Sequence, residues 1–374
     1  MAVLVGTGER MAERFLPLYL VVLGGGALSV GLLNALDNLL GALYAFPGGY
    51  LSDRIGTKRA LLIFNLIAMF GFSIVIVFPA WQAVLVGACF FISWTAISQP
   101  TTLSLIAQVL PSNRQTMGVS LHSLVRRVPK ALGPLLGGWL IATRGEVEGV
   151  RVAFVIALLL SAVSLVLQQF YLDDDRPVVR RAQANPWRAL RAMSPALRRL
   201  LVADILIRFC EQIPYAFVVL WAVQIVGISP AQFGVLSAVE MFVAMLVYIP
   251  VAYFADRSTK KPFVVTTFVF FTLFPLLLLI ADSHAMLWVA FLVRGLKEFG
   301  EPTRKSLILE LCPQDSRASS FGAYYLSRDV VVSVAAFGGA LLWQIAPQLN
   351  FLVAFARGLA GTLYFARWGR DLRD

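Results

Sequence analysis

The stretch GGYLSDRIGTKR, residues 48–59, is a short polar island between runs of lipid-soluble residues. Gly48 and Gly49 let a neighbouring helix approach closely, and Asp53 is a fixed negative charge that can meet the positive N-terminus of a helix starting on the same face. Arg54, Lys58 and Arg59 are the basic residues expected at a cytoplasmic membrane edge. A weaker copy, FADRSTKK at residues 254–261, places Asp256 and Arg257 203 positions further on. The same offset pairs Gly31 with Gly234, Asp37 with Glu240 and Pro47 with Pro250, and an offset of 202 pairs Pro100 with Pro302, Pro111 with Pro313 and Arg126 with Arg328. The chain therefore reads as two related halves.

Of the 374 residues, 59% are hydrophobic and only 14% charged, a balance that excludes an ordinary soluble domain. Ala60 to Asn113, Val152 to Leu172, Gln212 to Val239, Pro262 to Ala281 and Val330 to Ala356 contain no charged residue, and each is long enough for a span of roughly 20 apolar residues. The alternation of a half-buried strand is absent, so the backbone is expected to be satisfied in helices, giving an all-α membrane protein. Twelve spans are expected, at 2–24, 28–51, 58–79, 82–110, 114–142, 149–172, 199–226, 230–254, 261–281, 284–311, 316–345 and 347–367.

The net charge of +11 follows the same frame. Arg54, Lys58, Arg59, Arg114, the cluster from Arg176 to Arg199, Arg257, Lys260, Lys261 and Arg317 fall in alternate connections, which places both termini in the cytoplasm, with a bacterial inner membrane as the expected location. Basic residues beside a bilayer hold a loop to anionic lipid, so nucleic acid is not an expected partner. Cys89, Cys210 and Cys312 form no disulfide framework and read as packing residues. No basic leader precedes Met1, so the first span is expected to be retained.

The 48–59 stretch closely resembles the signature Gly-x-Leu-Ala-Asp-Arg-x-Gly-Arg-Lys-x-Arg of the major facilitator superfamily, matched by Gly49, Leu51, Asp53, Arg54, Gly56 and Lys58, with departures at Ser52 and Thr57 and with Arg59 one place early. The resemblance covers the whole chain. It implies two pseudo-symmetric six-helix bundles around a central cavity, residues 1–172 and 199–374, joined by a cytoplasmic linker at 173–198. Two parallel repeats of this kind hold a transport site near the bilayer midplane. Gly49, Asp53, Arg54, Gly56, Lys58, Asp256 and Arg257 are then gating residues. In the fifth span, ALGPLLGGWL carries Gly133, Pro134, Gly137 and Gly138, which resemble the Gly-Pro-x-x-Gly-Gly core of drug:proton antiporters, although Pro129 replaces an expected glycine and ISWTAISQP lacks the arginine expected in the fourth span. The same small residues would pack helices in any transporter.

Charges inside the spans mark the candidate site. GERMAERF, residues 8–15, puts Glu9, Arg10, Glu13 and Arg14 about 12 to 20 Å along a helix that crosses roughly 30 Å of hydrocarbon. Four ions facing lipid would cost on the order of 10 kcal/mol, so they must face something wet or charged. Glu13, Arg14 and Phe15 are similar to the end of the Glu-x-x-Glu-Arg-Phe motif of proton-coupled oligopeptide transporters, with Arg10 standing where its first glutamate belongs. The seventh span has Asp204, Arg208 and Glu211. The tenth runs RGLKEFGEPTRK, with Arg294, Lys297, Glu298 and Glu301. In the superfamily the first, fourth, seventh and tenth spans line the cavity, and the fourth offers Gln99 beside Ser93, Trp94, Thr95 and Ser98. Asp37 with Arg328 and Glu240 with Arg126 are expected as symmetry-related bridges between the second and eleventh and between the eighth and fifth spans. Arg127, Lys130 and His122 add positive charge to the fifth span, where attraction of an anion and lipid-headgroup snorkelling are both open readings.

The expected function is secondary active transport by alternating access, with proton-coupled efflux of a small amphipathic compound as the first reading and proton-coupled uptake of a polar or zwitterionic solute as the second. Glu13, Glu211 and Glu298 are the expected proton carriers, since a carboxylate in a low-dielectric cavity can hold a proton. A non-transporting membrane sensor is the alternative of another class. Two distant histidines argue against an enzyme, and no metal or cofactor is expected; the expected state is a monomer with small-molecule, proton and lipid partners.

Overall fold

The computed structural model describes residues 2–91, 127–171, 193–255, 259–312 and 317–370. Every regular element among them is helical. They divide into two compact units, one of Met1–Arg181 with Ile228–Ala238 and one of Ala182–Gly227 with Val239–Asp374.

The first unit contains α1 (Ala2–Glu13), α2 (Leu16–Val22), α3 (Gly26–Ile55), α4 (Thr57–Val77), α5 (Trp81–Phe91), α6 (Arg127–Arg144) and α7 (Glu146–Tyr171). Its aromatic core is formed by Phe72, Phe91 and Phe154, with ring centroids 5.4 to 5.9 Å apart. Opposite faces of the same helices carry exposed Phe70, Val77, Leu159 and Phe170, which suits a surface solvated by acyl chains. A single residue, Gly56, separates α3 from α4, and its φ of +87° lies in the left-handed region that favours glycine. The signature glycine is thus the corner of the connection. Gln168 of α7 fastens this corner by donating to the Lys58 carbonyl at 2.8 Å.

The second unit contains α8 (Pro195–Tyr215), α9 (Val218–Leu220, continued by a π turn over Trp221–Ile225), α10 (Pro230–Ala255, whose residues through Ala238 belong to the first unit), α11 (Lys261–Ile280), α12 (His284–Leu296), α13 (Glu301–Leu311), α14 (Arg317–Ile345) and α15 (Pro347–Trp368). Ser194 caps α8, accepting from the Leu197 amide at 3.2 Å. Leu197, Leu200, Ile207, Phe268, Leu307, Tyr324 and Phe365 fill its core.

Six helices among the described residues are individually long and apolar enough to cross a membrane, and a seventh is added if α8 and α9, bent by 43°, count as one span. Among the described residues, three expected spans are not continuous. The first breaks after Glu13, where Pro17 has no N–H for the Glu13 carbonyl and the Phe15 amide turns back to Ala12 at 2.9 Å. The seventh breaks after Tyr215 beside Pro214, and the tenth breaks over residues 297–300, before Pro302. In the seventh, the Phe217 amide bonds Pro214, and the Ile213 carbonyl accepts from Asn350 of α15 at 3.2 Å; Asn350 also donates to Gly339 at 2.7 Å. A fully buried side chain thereby satisfies backbone that the break releases.

Candidate functional site

In the first unit, α1 lies against α6 and α7 at near-backbone distance. A Cβ on Gly133 would stand 2.5 Å from the Arg10 Cβ, one on Gly8 would stand 2.7 Å from the Ala157 Cα, and one on Gly137 would collide with the Met11 carbonyl. The other two members of the glycine-proline stretch face residues 230–234: Gly138 abuts the Pro230 carbonyl, and Gly234 abuts that of Pro134. Positions i and i+4 thus serve one neighbour and the next pair the other, as helical spacing dictates. The close contact sets the α1 ions in protein. Glu9 is buried, Arg10 pairs with Glu13, and the Arg14 guanidinium stands over the Phe233 ring at 5.9 Å. Asp37 lies within electrostatic reach of Arg10, Glu13 and Lys130.

The second unit holds a longer ion network, built from five helices and one turn. At one end is Asp204 of α8, 1% exposed. It pairs with Arg304 of α13, accepts from Tyr324 OH of α14 at 3.0 Å, and meets Arg328 of α14 at 3.3 Å. Arg304 then grips Glu301 with both arms, Nε to Oε2 at 3.0 Å and Nη2 to Oε1 at 2.6 Å. Such bidentate pairing matches the guanidinium fork to the carboxylate. Glu301 also meets Arg208 Nη2 at 3.4 Å, and Arg208 Nη1 donates to Glu211 at 2.6 Å. Lys297, in the turn between α12 and α13, donates to Glu211 at 2.8 Å and lies 3.6 Å from Glu240 of α10. Glu240 closes the series with Arg294 Nε at 3.1 Å, and that guanidinium stands over Phe274 at 4.7 Å.

The structure brings Arg208, Glu211, Arg294, Lys297 and Glu301 together, and Glu298 lies half-buried in the same turn as Lys297. Glu240 has ion pairs with Arg294 and Lys297, where Gly295 lets α12 approach α10 so closely that a Cβ at that position would stand 2.7 Å from the Glu240 carbonyl oxygen; its expected partner Arg126 is not among the described residues. Arg328, expected to bond Asp37, pairs with Asp204 and with the adjacent Asp329 at 2.7 Å. Arg126, Gln99, Asp256 and Arg257 lie outside the described residues, and of Gly49, Asp53 and Arg54 only the helical backbone is described. Sequence reasoning named Asp204 on the seventh span but missed Arg304 and Tyr324; the Glu301–Arg304 spacing, at i,i+3, was the available signal for Arg304.

The family model of the Major Facilitator Superfamily matches residues 1–219 and 200–373. The chain belongs to this superfamily. It is accordingly an integral, multi-pass membrane protein and an MFS-type transporter, not an enzyme. An uncharacterized MFS-type transporter of Bacillus subtilis, YfkF, is 31% identical over 161 residues, which is 42% of this chain and 40% of that protein. One from Methanocaldococcus jannaschii is 18% identical over 353 residues, 92% of this chain and 87% of its own. Among solved structures, the nucleoside transporter NupG superposes with a TM-score of 0.80 at 14% identity, covering 98% of each chain. A POT family transporter in complex with a thioalcohol-conjugated peptide gives 0.79 at 12% identity, covering 98% of this chain and 94% of that one. At these identities the superpositions establish the MFS fold.

Proposed function

We propose that this MFS protein is a proton-coupled secondary transporter that works by alternating access and takes up a small polar or zwitterionic solute. The observation that carries this reading is the ion network from Asp204 to Arg294. Ion pairs drawn out of water gain little net stability, and apolar replacements of similar volume are often as stable or more so. A membrane protein with many such pairs, and with Arg208 and Glu211 at 18% and 11% side-chain exposure, keeps them for something other than folding. Paired cations and carboxylates offer complementary anchors to a solute bearing both charges, and Glu211 and Glu298 are the acids proposed to take up protons. We place the 48–59 and 254–261 stretches at a cytoplasmic gate and both termini in the cytoplasm of a bacterial cell.

Export of an amphipathic compound is the second reading, favoured by the Gly133, Pro134, Gly137 and Gly138 stretch. Its close backbone contacts serve either reading.

The test is flux into proteoliposomes under an imposed pH gradient, with an amino acid, a dipeptide, a nucleoside and a lipophilic cation as probes. Saturable, gradient-dependent uptake of a polar probe, reduced roughly tenfold by Glu211→Gln, is expected, the effect of about 1.4 kcal/mol. Saturable flux of the lipophilic cation alone would move the assignment to export, and polar-probe flux indifferent to the gradient would remove proton coupling.

A further inference from the structure

Arg208 has three carboxylates within reach at graded distances. Nη1 bonds Glu211 at 2.6 Å, Nη2 meets Glu301 at 3.4 Å, and Nε stands 3.9 Å from Asp204 Oδ1. That last pairing is not a hydrogen bond, and neither Arg208 Nε nor Asp204 Oδ1 has another hydrogen-bond partner among the described residues, although Asp204 is 1% exposed. A buried donor and acceptor left unpaired are uncommon, because each has given up hydration for nothing. Here the two unmet needs face one another across one helical turn.

The surrounding groups are already committed. Asp204 Oδ2 serves Arg304, Arg328 and Tyr324, and both Glu301 oxygens serve Arg304. Among the described residues, Asp204 Oδ1 is the acceptor beside Arg208 that has no hydrogen bond. At the other end, Glu211 shares its charge between Arg208 and Lys297, and Lys297 has Glu240 as a second partner at 3.6 Å. Either cation can therefore leave Glu211 without being stranded.

We propose that Arg208 is a two-position residue: it bonds Glu211 while that carboxylate is charged and closes onto Asp204 Oδ1 when a proton neutralises Glu211. The clause about the proton rests on the proton-coupled reading above. The proton binds a Glu211 oxygen and the guanidinium keeps its charge, so Arg208 relays position and carries no proton. Arg208 is thus a positioning residue. Its shift passes the loss of charge at Glu211 to Asp204, about 10 Å further along the helix, where Arg304 and the α14 groups Arg328 and Tyr324 converge. Glu301 of α13 and Arg304 also face Arg208, and around these groups stand Lys305 beside Glu301, Lys297 beside Glu211, Glu240 beside Lys297 and Tyr325 of α14 beside Arg304; the Phe271 ring of α11 supports the Arg208 guanidinium at 5.5 Å.

The experiment is cryo-electron microscopy of the full chain in lipid nanodiscs: wild type at neutral and acidic pH, with Glu211→Gln and Glu211→Asp at neutral pH. The Nε to Oδ1 separation is expected to fall from 3.9 Å to about 2.9 Å in Glu211→Gln and in the acidified wild type, and to stay open in Glu211→Asp. If Glu211→Gln does not fold, Glu211→Met, which also removes the charge, decides. Arg208 held at its original distance from Asp204, or a water filling the gap in place of the guanidinium, overturns the proposal. Should Arg208 move as described while liposome flux ignores a pH gradient, the exchange stands and the proton-coupled reading falls.

Discussion

Replacing Arg304 by methionine tests the ion network most directly. Arg304 is 1% exposed and compensates two carboxylates at once, Asp204 and Glu301. Removing one partner of a buried pair costs about 3 to 5 kcal/mol, because it leaves a charge in low dielectric. The lower end, about 3 kcal/mol, applies where the survivors keep other partners. Asp204 keeps Arg328 at 3.3 Å and Tyr324 at 3.0 Å, and Glu301 keeps Arg208 at 3.4 Å and Lys305 at 3.6 Å. At about 2 °C per kcal/mol for a large domain, Tm should fall by about 6 °C. The assay is thermal unfolding in detergent, followed by a thiol-reactive fluorophore, since Cys210 and Cys312 are buried and become reactive as the second unit opens. Adding Asp204→Asn should recover about half of the loss, because the stranded charge is gone and the Asn carbonyl still accepts from Tyr324. A single variant with an unchanged Tm, or a double variant whose losses simply add, would refute the premise that Arg304 is retained against two buried charges.

Two further outcomes follow from packing and from the broken seventh span. Gly137→Leu puts a side chain into the Met11 backbone and should abolish the folded first unit, whereas Gly338→Ala, with no described atom within 4 Å of its Cβ position, should leave the elution profile of the purified protein unchanged. Asn350→Leu keeps the branched outline but strands the Ile213 carbonyl, and should lower stability by about 1 to 3 kcal/mol in the same thermal assay.

The helical, membrane-embedded character was legible because it depends on composition summed over long windows: uncharged stretches the length of a bilayer leave few alternatives. The Gly56 corner was not read from the sequence: the second span was expected to end at residue 51, whereas α3 runs on to Ile55 and turns at Gly56, whose φ of +87° suits a residue without a Cβ. The span breaks were only partly legible. Pro17, Pro214 and Pro302 are visible in the sequence, but whether a helix continues past a proline depends on what takes the released carbonyl, and for Ile213 that is Asn350, 137 residues away.

By itself, then, the sequence determined the class of the protein, its superfamily signature and which spans bear ions, because those properties are local or additive. Only the tertiary structure decided which ions meet. Glu240 goes to Arg294 and Lys297, and Arg328 goes to Asp204, on distances of 3.1 to 3.6 Å. Helical periodicity constrains neighbours on one helix, but Coulomb pairing across helices is chosen by the approach of their backbones, which is set by glycines and packed apolar faces far from the charges themselves.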